Sequence, residues 1–168
     1  NLAFKCEPLG LGDEAVRREM VADLAAEALF GESSELYLKL YEAGIIDTSF
    51  GGSFETIDGC AMLMCSGDSD WPEEVRAAIL AQAKKISAES ISDEAFLRMK
   101  RSALGRRIRQ LDSFDGTCFR VCAYHFSGFD YFRFPEIYRS IEKEEIRDFI
   151  SRIVTEERSC LSVIQPVE

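Results

Sequence analysis

The chain has 168 residues, 46% hydrophobic and 30% charged, the balance of one globular domain that buries about two-thirds of its unfolded surface. Its net charge of −10 excludes a nucleic-acid-binding body, because phosphate contacts need a positive surface. No apolar run nears the roughly 20 residues that cross a bilayer, so no membrane role is read from it.

Residues 2–6 alternate weakly and predict a short strand. Asp13 is placed to cap a helix that carries Val16, Met20, Leu24 and Ala28 at i+4 steps, a face made for a core. Leu29-Phe30-Gly31 closes it, with Gly31 read as a left-handed stop. Ser33 or Ser34 offers its side-chain oxygen to the open amides of a second helix, which runs to Ala43. Leu36 pairs with Leu40 and Tyr37 with Tyr41 on its surface, and Gly44 ends it. Residues 47–56 read as a strand interrupted by Gly51-Gly52. Asp58-Gly59 signals a type I′ hairpin, with Cys60–Ser66 as the returning strand.

Asp68 to Glu74 supplies caps, an early Pro72 and first-turn acids to a helix whose buried stripe is Val75, Ile79, Ala83 and Ile86. Ser90 or Ser92 launches the next helix through Phe96, Met99, Ala103 and Leu104 to Leu111. Asp112-Ser113 breaks it, Phe114–Phe126 is a further helix, and Gly128–Pro135 is an aromatic-rich loop. Past Ser140, Ile141, Ile146, Phe149, Ile150 and Ile153 mark another helix; Cys160–Ile164 is the closing strand, stopped by Pro166. The order βααββααααβ predicts an α+β fold: a single mixed or antiparallel sheet with helices packed on one face. Residues 1–168 read as a single domain. The opening Asn1-Leu2-Ala3-Phe4-Lys5 leads straight into a strand without an initiator Met, which suggests a piece cut from a longer polypeptide.

Six cysteines are spread over a domain large enough to need no staples. Apolar neighbours around Cys60, Cys65 and Cys160 predict buried, reduced thiols and a cytoplasmic setting. Cys118, Cys122 and His125 share one side of a helix. The outer two are about 10 Å apart along its axis, too far to converge on one ion, so the expected role is packing against a core. Cys122 and His125 lack an orienting acid and oxyanion donors, and no G-x-S-x-G, Walker or H-E-x-x-H motif occurs. Read alone, the chain offers no catalytic residue and no metal site. Arg98, Lys100, Arg101, Arg106, Arg107 and Arg109 crowd one helix. A solvated face near acidic neighbours is the plain reading; a wall that attracts acidic peptide is the sharper one.

The run Leu29-Phe30-Gly31-Glu32-Ser33-Ser34-Glu35-Leu36-Tyr37, with Leu40, Glu42, Gly44 and Ile45, resembles the second-lobe signature of insulinase/pitrilysin-like zinc metallopeptidases. Lys100-Arg101 with Gly105, the Leu111-Asp112-Ser113 break and the ending with Pro166 fall in the order of that lobe. The resemblance is strongest to the bacterial processing-protease branch. It implies the non-catalytic C-terminal lobe of a metalloendopeptidase, closing a substrate chamber and touching peptide. No cofactor is expected in this chain; zinc is expected in an N-terminal lobe that carries H-x-x-E-H, a motif one histidine cannot form. Implied partners are that catalytic lobe, of the same polypeptide or a homologous subunit, a peptide substrate, and a homo- or heterodimer mate. Many such lobes present an Arg and a later Tyr to the peptide; here those positions fall on Tyr41 and near Asp47 or Thr48. Tyr41, Asp47 and Phe50 are therefore the candidate substrate-binding residues, with Gly51-Gly52 allowing a chain to approach. A lobe that binds peptide or a subunit without hydrolysis is the second reading, and a thiol or metal enzyme using Cys122 and His125 the third.

Overall fold

Alternation of apolar side chains builds the first layer. In the computed structural model, which describes residues 1–57 and 59–165, β1 (Leu2–Cys6) turns Leu2, Phe4 and Cys6 inward and leaves Ala3 and Lys5 on the other face. The hairpin β2 (Gly51–Ile57) and β3 (Cys60–Ser66) pairs Gly51 with Ser66 through Ile57 with Cys60. Asp58 lies outside the described residues, while Gly59 holds the positive φ of 80° that the turn requires. β3 runs antiparallel to β1, which pairs on its far side with β4 (Ser159–Leu161). The sheet is antiparallel throughout, in the order β2-β3-β1-β4. Its first and last strands are neighbours although the whole chain lies between them.

Helices cover one face. α1 (Gly12–Phe30) is buried along Val16, Met20, Leu24, Leu29 and Phe30. α3 (Pro72–Glu89) buries the stripe Val75, Ile79, Ala83 and Ile86, and α7 (Lys143–Ile153) buries Ile146, Ile150 and Ile153. These meet Phe4 and Leu63 of the sheet, and each such side chain removed from water contributes about 1.5–3 kcal/mol. Arg17 forks on to both carboxylate oxygens of Glu145 at 2.8 and 2.7 Å, which ties α1 to α7. The opposite face of the sheet carries Ala3, Met62 and Met64, half-buried, among exposed Lys5, Ser53, Glu55 and Cys160.

α2 (Glu35–Glu42) starts where Ser34 accepts the Tyr37 amide at 3.1 Å. α4 (Asp93–Arg109) starts the same way at Ser92, and α5 (Phe114–Phe126) at Ser113. Several local expectations are corrected. Gly31 is extended (φ −63°, ψ 145°) rather than left-handed; glycine is required because a Cβ there would sit 2.5 Å from the Glu27 carbonyl oxygen. Asp13 caps nothing; it lies in the first turn of α1 and pairs with Arg133 at 3.0 Å. Residues 47–50 form a turn, so Gly51-Gly52 begins β2 instead of interrupting it. The aromatic segment after Gly128 winds into one 3₁₀ turn and α6 (Phe134–Ser140), a helix the periodicity concealed. β4 ends at Leu161, short of Ile164, and Pro166 lies outside the described residues.

Candidate functional site

Aromatic rings organise the end of the sheet where the candidate residues gather. Tyr41 is 48% exposed and lies flat on Tyr37, with centroids 5.7 Å apart and planes at 12°. Tyr37 tilts against Phe50, which meets Phe30 edge-on at 6.2 Å. Phe50 is only 7% exposed. It is thus a core ring supporting Tyr37, not the exposed partner of Tyr41 expected above; the turn at 47–50 rolls it inward. Asp47 is exposed, and its Oδ1 accepts both the hydroxyl and the amide of Ser49, which hold its pKa below the ordinary carboxylate value. The Ser49 hydroxyl accepts the Asp68 amide, and Ser69 donates to the Ile45 carbonyl at 2.7 Å, so two loops are locked together. Ile46 and Phe50 wall a cleft of about 340 Å³ with Asp68, Asp70 and Arg76. Tyr41 stands outside that cleft. The space a Cβ would take on Gly52 is already filled by the Phe30 ring at 2.3 Å, so that glycine serves packing; Gly51 is open.

A second cleft, of about 230 Å³, opens between β2 and the helices. Asp23 and Glu27 of α1 line it opposite Arg106 and Arg107 of α4, and Glu19 lies one turn back on the same side of α1. Arg106 binds Glu27 at 2.8 Å. Arg107, 14% exposed, lies 3.5 Å from both Glu19 and Asp23, between the rings of Tyr124 and Tyr138. Tyr124 donates to Glu19. Burial works against the charge of Arg107, yet the tyrosines and carboxylates around it hold its pKa above the usual value. Burial pushes Asp23 up to about 7, although its side chain keeps 34% exposure to the cleft. Desolvation likewise lifts Tyr138 to about 12. The sequence carried a signal for this cluster, three acids at i, i+4 and i+8 in the otherwise apolar stretch 19–30 of α1. The signal says nothing of which arginine meets them.

The basic helix divides in two. Lys100 caps the carbonyls of Arg139 and Ile141 at 2.7 Å each, and Arg106 and Arg107 are paired, whereas Arg98, Arg101 and Arg109 are exposed. Only two of the six cysteines, Cys6 and Cys65, are buried; burial pushes Cys65 up to about 12. Cys60 and Cys160 sit on the open or edge side of the sheet, which corrects the expected burial. Cys118, Cys122 and His125 are exposed on α5, which has no fully buried residue, so the core-facing role expected of them is also corrected. The set does not fit zinc: His125 turns its ring edge to Phe126, and no group of three or more His, Cys, Asp or Glu among the described residues is close enough to share an ion.

A family model described as peptidase M16 inactive domain matches residues 1–103. The chain is 26% identical over 163 residues to the uncharacterized zinc protease YmfH of Bacillus subtilis, covering 95% of this chain and 37% of that protein. Among solved structures, one described as an M16-like peptidase from Alicyclobacillus acidocaldarius superposes with a TM-score of 0.86 at 17% identity, over 94% of this chain and 38% of that one. Another, described as a zinc protease from Bordetella pertussis, gives 0.77 at 15% identity, over 99% of this chain and 92% of that one. The chain therefore spans little more than a third of the Bacillus relative and of the Alicyclobacillus structure.

Proposed function

Because this chain belongs to the peptidase M16 inactive-domain family, we propose that it is the C-terminal lobe that closes the substrate chamber of a zinc metalloendopeptidase and touches the peptide, while the zinc resides in an N-terminal lobe. The observation that carries this reading is the pairing of that family match with a single, exposed histidine, His125, on a helix that cannot supply a zinc motif. Tyr41 and Asp47 are the contacts assigned to peptide: an exposed ring anchored flat on Tyr37, and an ionised carboxylate on a loop pinned by Ser49 and Asp68. Phe50 acts behind them by holding Tyr37 in place. A lobe that binds peptide without hydrolysis is favoured by one specific feature, the Tyr41 and Asp47 side chains where related lobes often present Arg and Tyr.

The test uses the parent polypeptide and its two lobes. The 168-residue chain alone leaves unfolded casein intact. Combined with the N-terminal lobe it gives cleavage that a chelator abolishes. In the assembled enzyme Tyr41→Ala and Asp47→Ala lower kcat/KM by roughly tenfold with Tm unchanged within a few degrees. Cleavage by the chain alone, or an N-terminal lobe that works equally well without it, overturns the reading.

A further inference from the structure

α5 has 13 residues and not one that is fully buried; it is held to the rest of the chain mainly by the 3₁₀ turns at Gln110–Asp112 and Tyr131–Arg133. Its inner side rests on Val121 and Tyr124, which pack on the core. On the other side Phe114, Cys118, Phe119, Cys122 and Phe126 form an exposed stripe at helical spacing, with the three phenylalanines at least three-quarters exposed. Rings of this size carry 150–250 Å² each, so the stripe offers roughly 500 Å² of apolar surface, near the top of what a monomer leaves bare. The order of residues along the stripe says what covers it. Positions equally far to either side of Arg120 match: Phe114 with Phe126, Asp115 with His125, Cys118 with Cys122. Arg120 itself points away from the stripe by the helical period and bonds the Gly116 carbonyl at 3.3 Å, which leaves the centre free.

We infer that α5 pairs antiparallel with α5 of a second copy of this chain, centred at Arg120, with Cys118 of each copy against Cys122 of the other. When two helices run antiparallel across a two-fold axis, residues equally far from the centre come level, and the same patch serves both partners. Asp115 then meets His125 of the second copy, an acid against the one histidine of the chain. Phe119 of each copy lies one residue from the centre, so the two rings are level to within about 3 Å. The small thiols let the helix axes approach to about 8 Å, the near end of the packing range, while Phe114 and Phe126 cover the two ends. An unrelated partner has no need of this symmetry. The two copies together bury roughly 1,000–1,200 Å², the low end of specific interfaces, so the pairing is reversible, with dissociation at about 10–100 µM. A net charge of −10 on each copy opposes it, and salt therefore strengthens it. The pairing does not depend on the peptide contacts assigned to Tyr41 and Asp47.

Sedimentation equilibrium of the 168-residue chain in reducing buffer should give monomer at about 1 µM and dimer at about 300 µM. Phe119→Asp stays monomeric throughout and, at about 1 µM, melts like the parent chain. Cross-linking reads the register. In a background of Cys60→Ser and Cys160→Ser, chains carrying Cys118→Ser or Cys122→Ser are treated with diamide, which takes up the two electrons and two protons that a pair of thiols gives up in forming a disulfide. The mixture of the two variants forms a covalent dimer about tenfold faster than either alone, because only the mixture sets Cys118 opposite Cys122. Either variant cross-linking by itself as fast as the mixture overturns the antiparallel register. A monomer at about 300 µM, or a dimer that Phe119→Asp does not dissociate, overturns the pairing. In the parent polypeptide, Cys118 and Cys122 should react with iodoacetamide at about 1 µM and be protected at about 300 µM. Protection at both, with the parent monomeric, overturns the proposal in favour of the N-terminal lobe as the cover.

Discussion

Ser90 ends α3 with φ 64° and ψ −179°, a backbone region that is essentially the preserve of glycine. Its hydroxyl is buried without a hydrogen-bond partner. Both features cost stability, and the turn between α3 and α4 leaves no room to relieve them, since Ile86 is fixed in the core and Ser92 must cap the next helix. Ser90→Gly is therefore expected to stabilise the chain by about 1 kcal/mol, the strain relieved minus the entropy glycine adds to the unfolded chain. Calorimetry should record a rise in Tm of roughly 2–4 °C; a fall would show that the serine is held by a contact worth more than the strain. Single glycines teach the converse. Gly31 and Gly52 have ordinary or extended backbones and matter because Glu27 and Phe30 occupy the space a Cβ would need. Sequence marks such positions as breaks, while their cause lies in what packs beside them, Glu27 one helical turn back for Gly31 and Phe30 of another element for Gly52.

At the scale of elements, α5 is the instructive one. Its phenylalanines and cysteines at helical spacing predict a core helix, yet Phe114, Phe119 and Phe126 are 80%, 75% and 84% exposed. Periodicity records that a helix has an apolar side; it does not say that this chain supplies the cover. The inner side is held instead by Tyr124, which stacks on Tyr131 at 5.3 Å and reaches Glu19, and by the Gly12 amide on the Ser127 carbonyl at 2.7 Å. Replacing Phe114, Phe119 and Phe126 together by serine should leave the Tm of this chain within about 3 °C, because substitutions away from buried contacts stay near ±0.5 kcal/mol each. Thermal melts of the triple variant check this, with Tyr124→Ala as the contrasting case that loses several degrees. α6 was missed for the opposite reason: Phe134, Ile137 and Tyr138 are buried in only seven residues, too short a run for its period to show.

For the whole molecule, the cluster around Arg107 joins α1, α4, α5 and α6 and makes stability depend on pH in a definite direction. The folded-state pKa of Asp23 is about 7, above the ordinary 3.8. In that window the folded chain therefore holds a proton that the unfolded chain releases. The contribution is complete below the unfolded value and is lost as pH rises through the folded one. Asp23→Asn should accordingly be more stable than the parent chain at pH 8 and nearly equal to it only at about pH 3, below the unfolded value. Melting curves at the two values test it, and a variant less stable at pH 8 would mean that Arg107 needs this carboxylate charged. Local chemistry in the sequence was enough to narrow two helix starts to Ser33 or Ser34 and Ser90 or Ser92, to place the break at Asp112-Ser113 and the β2–β3 hairpin, and to mark the buried stripes of α1, α3 and α7, since capping and amphipathic period act over a few residues. The ordered run from Leu29 to Ile45 also identified the family resemblance, and one histidine ruled out its zinc motif. Which face of the sheet stays open, that Phe50 turns inward while Tyr41 stays out, and which arginine meets Asp23 were decided only in three dimensions. Those outcomes depend on contacts between segments tens of residues apart, where the energy of packing one partner against another exceeds any preference that either carries alone.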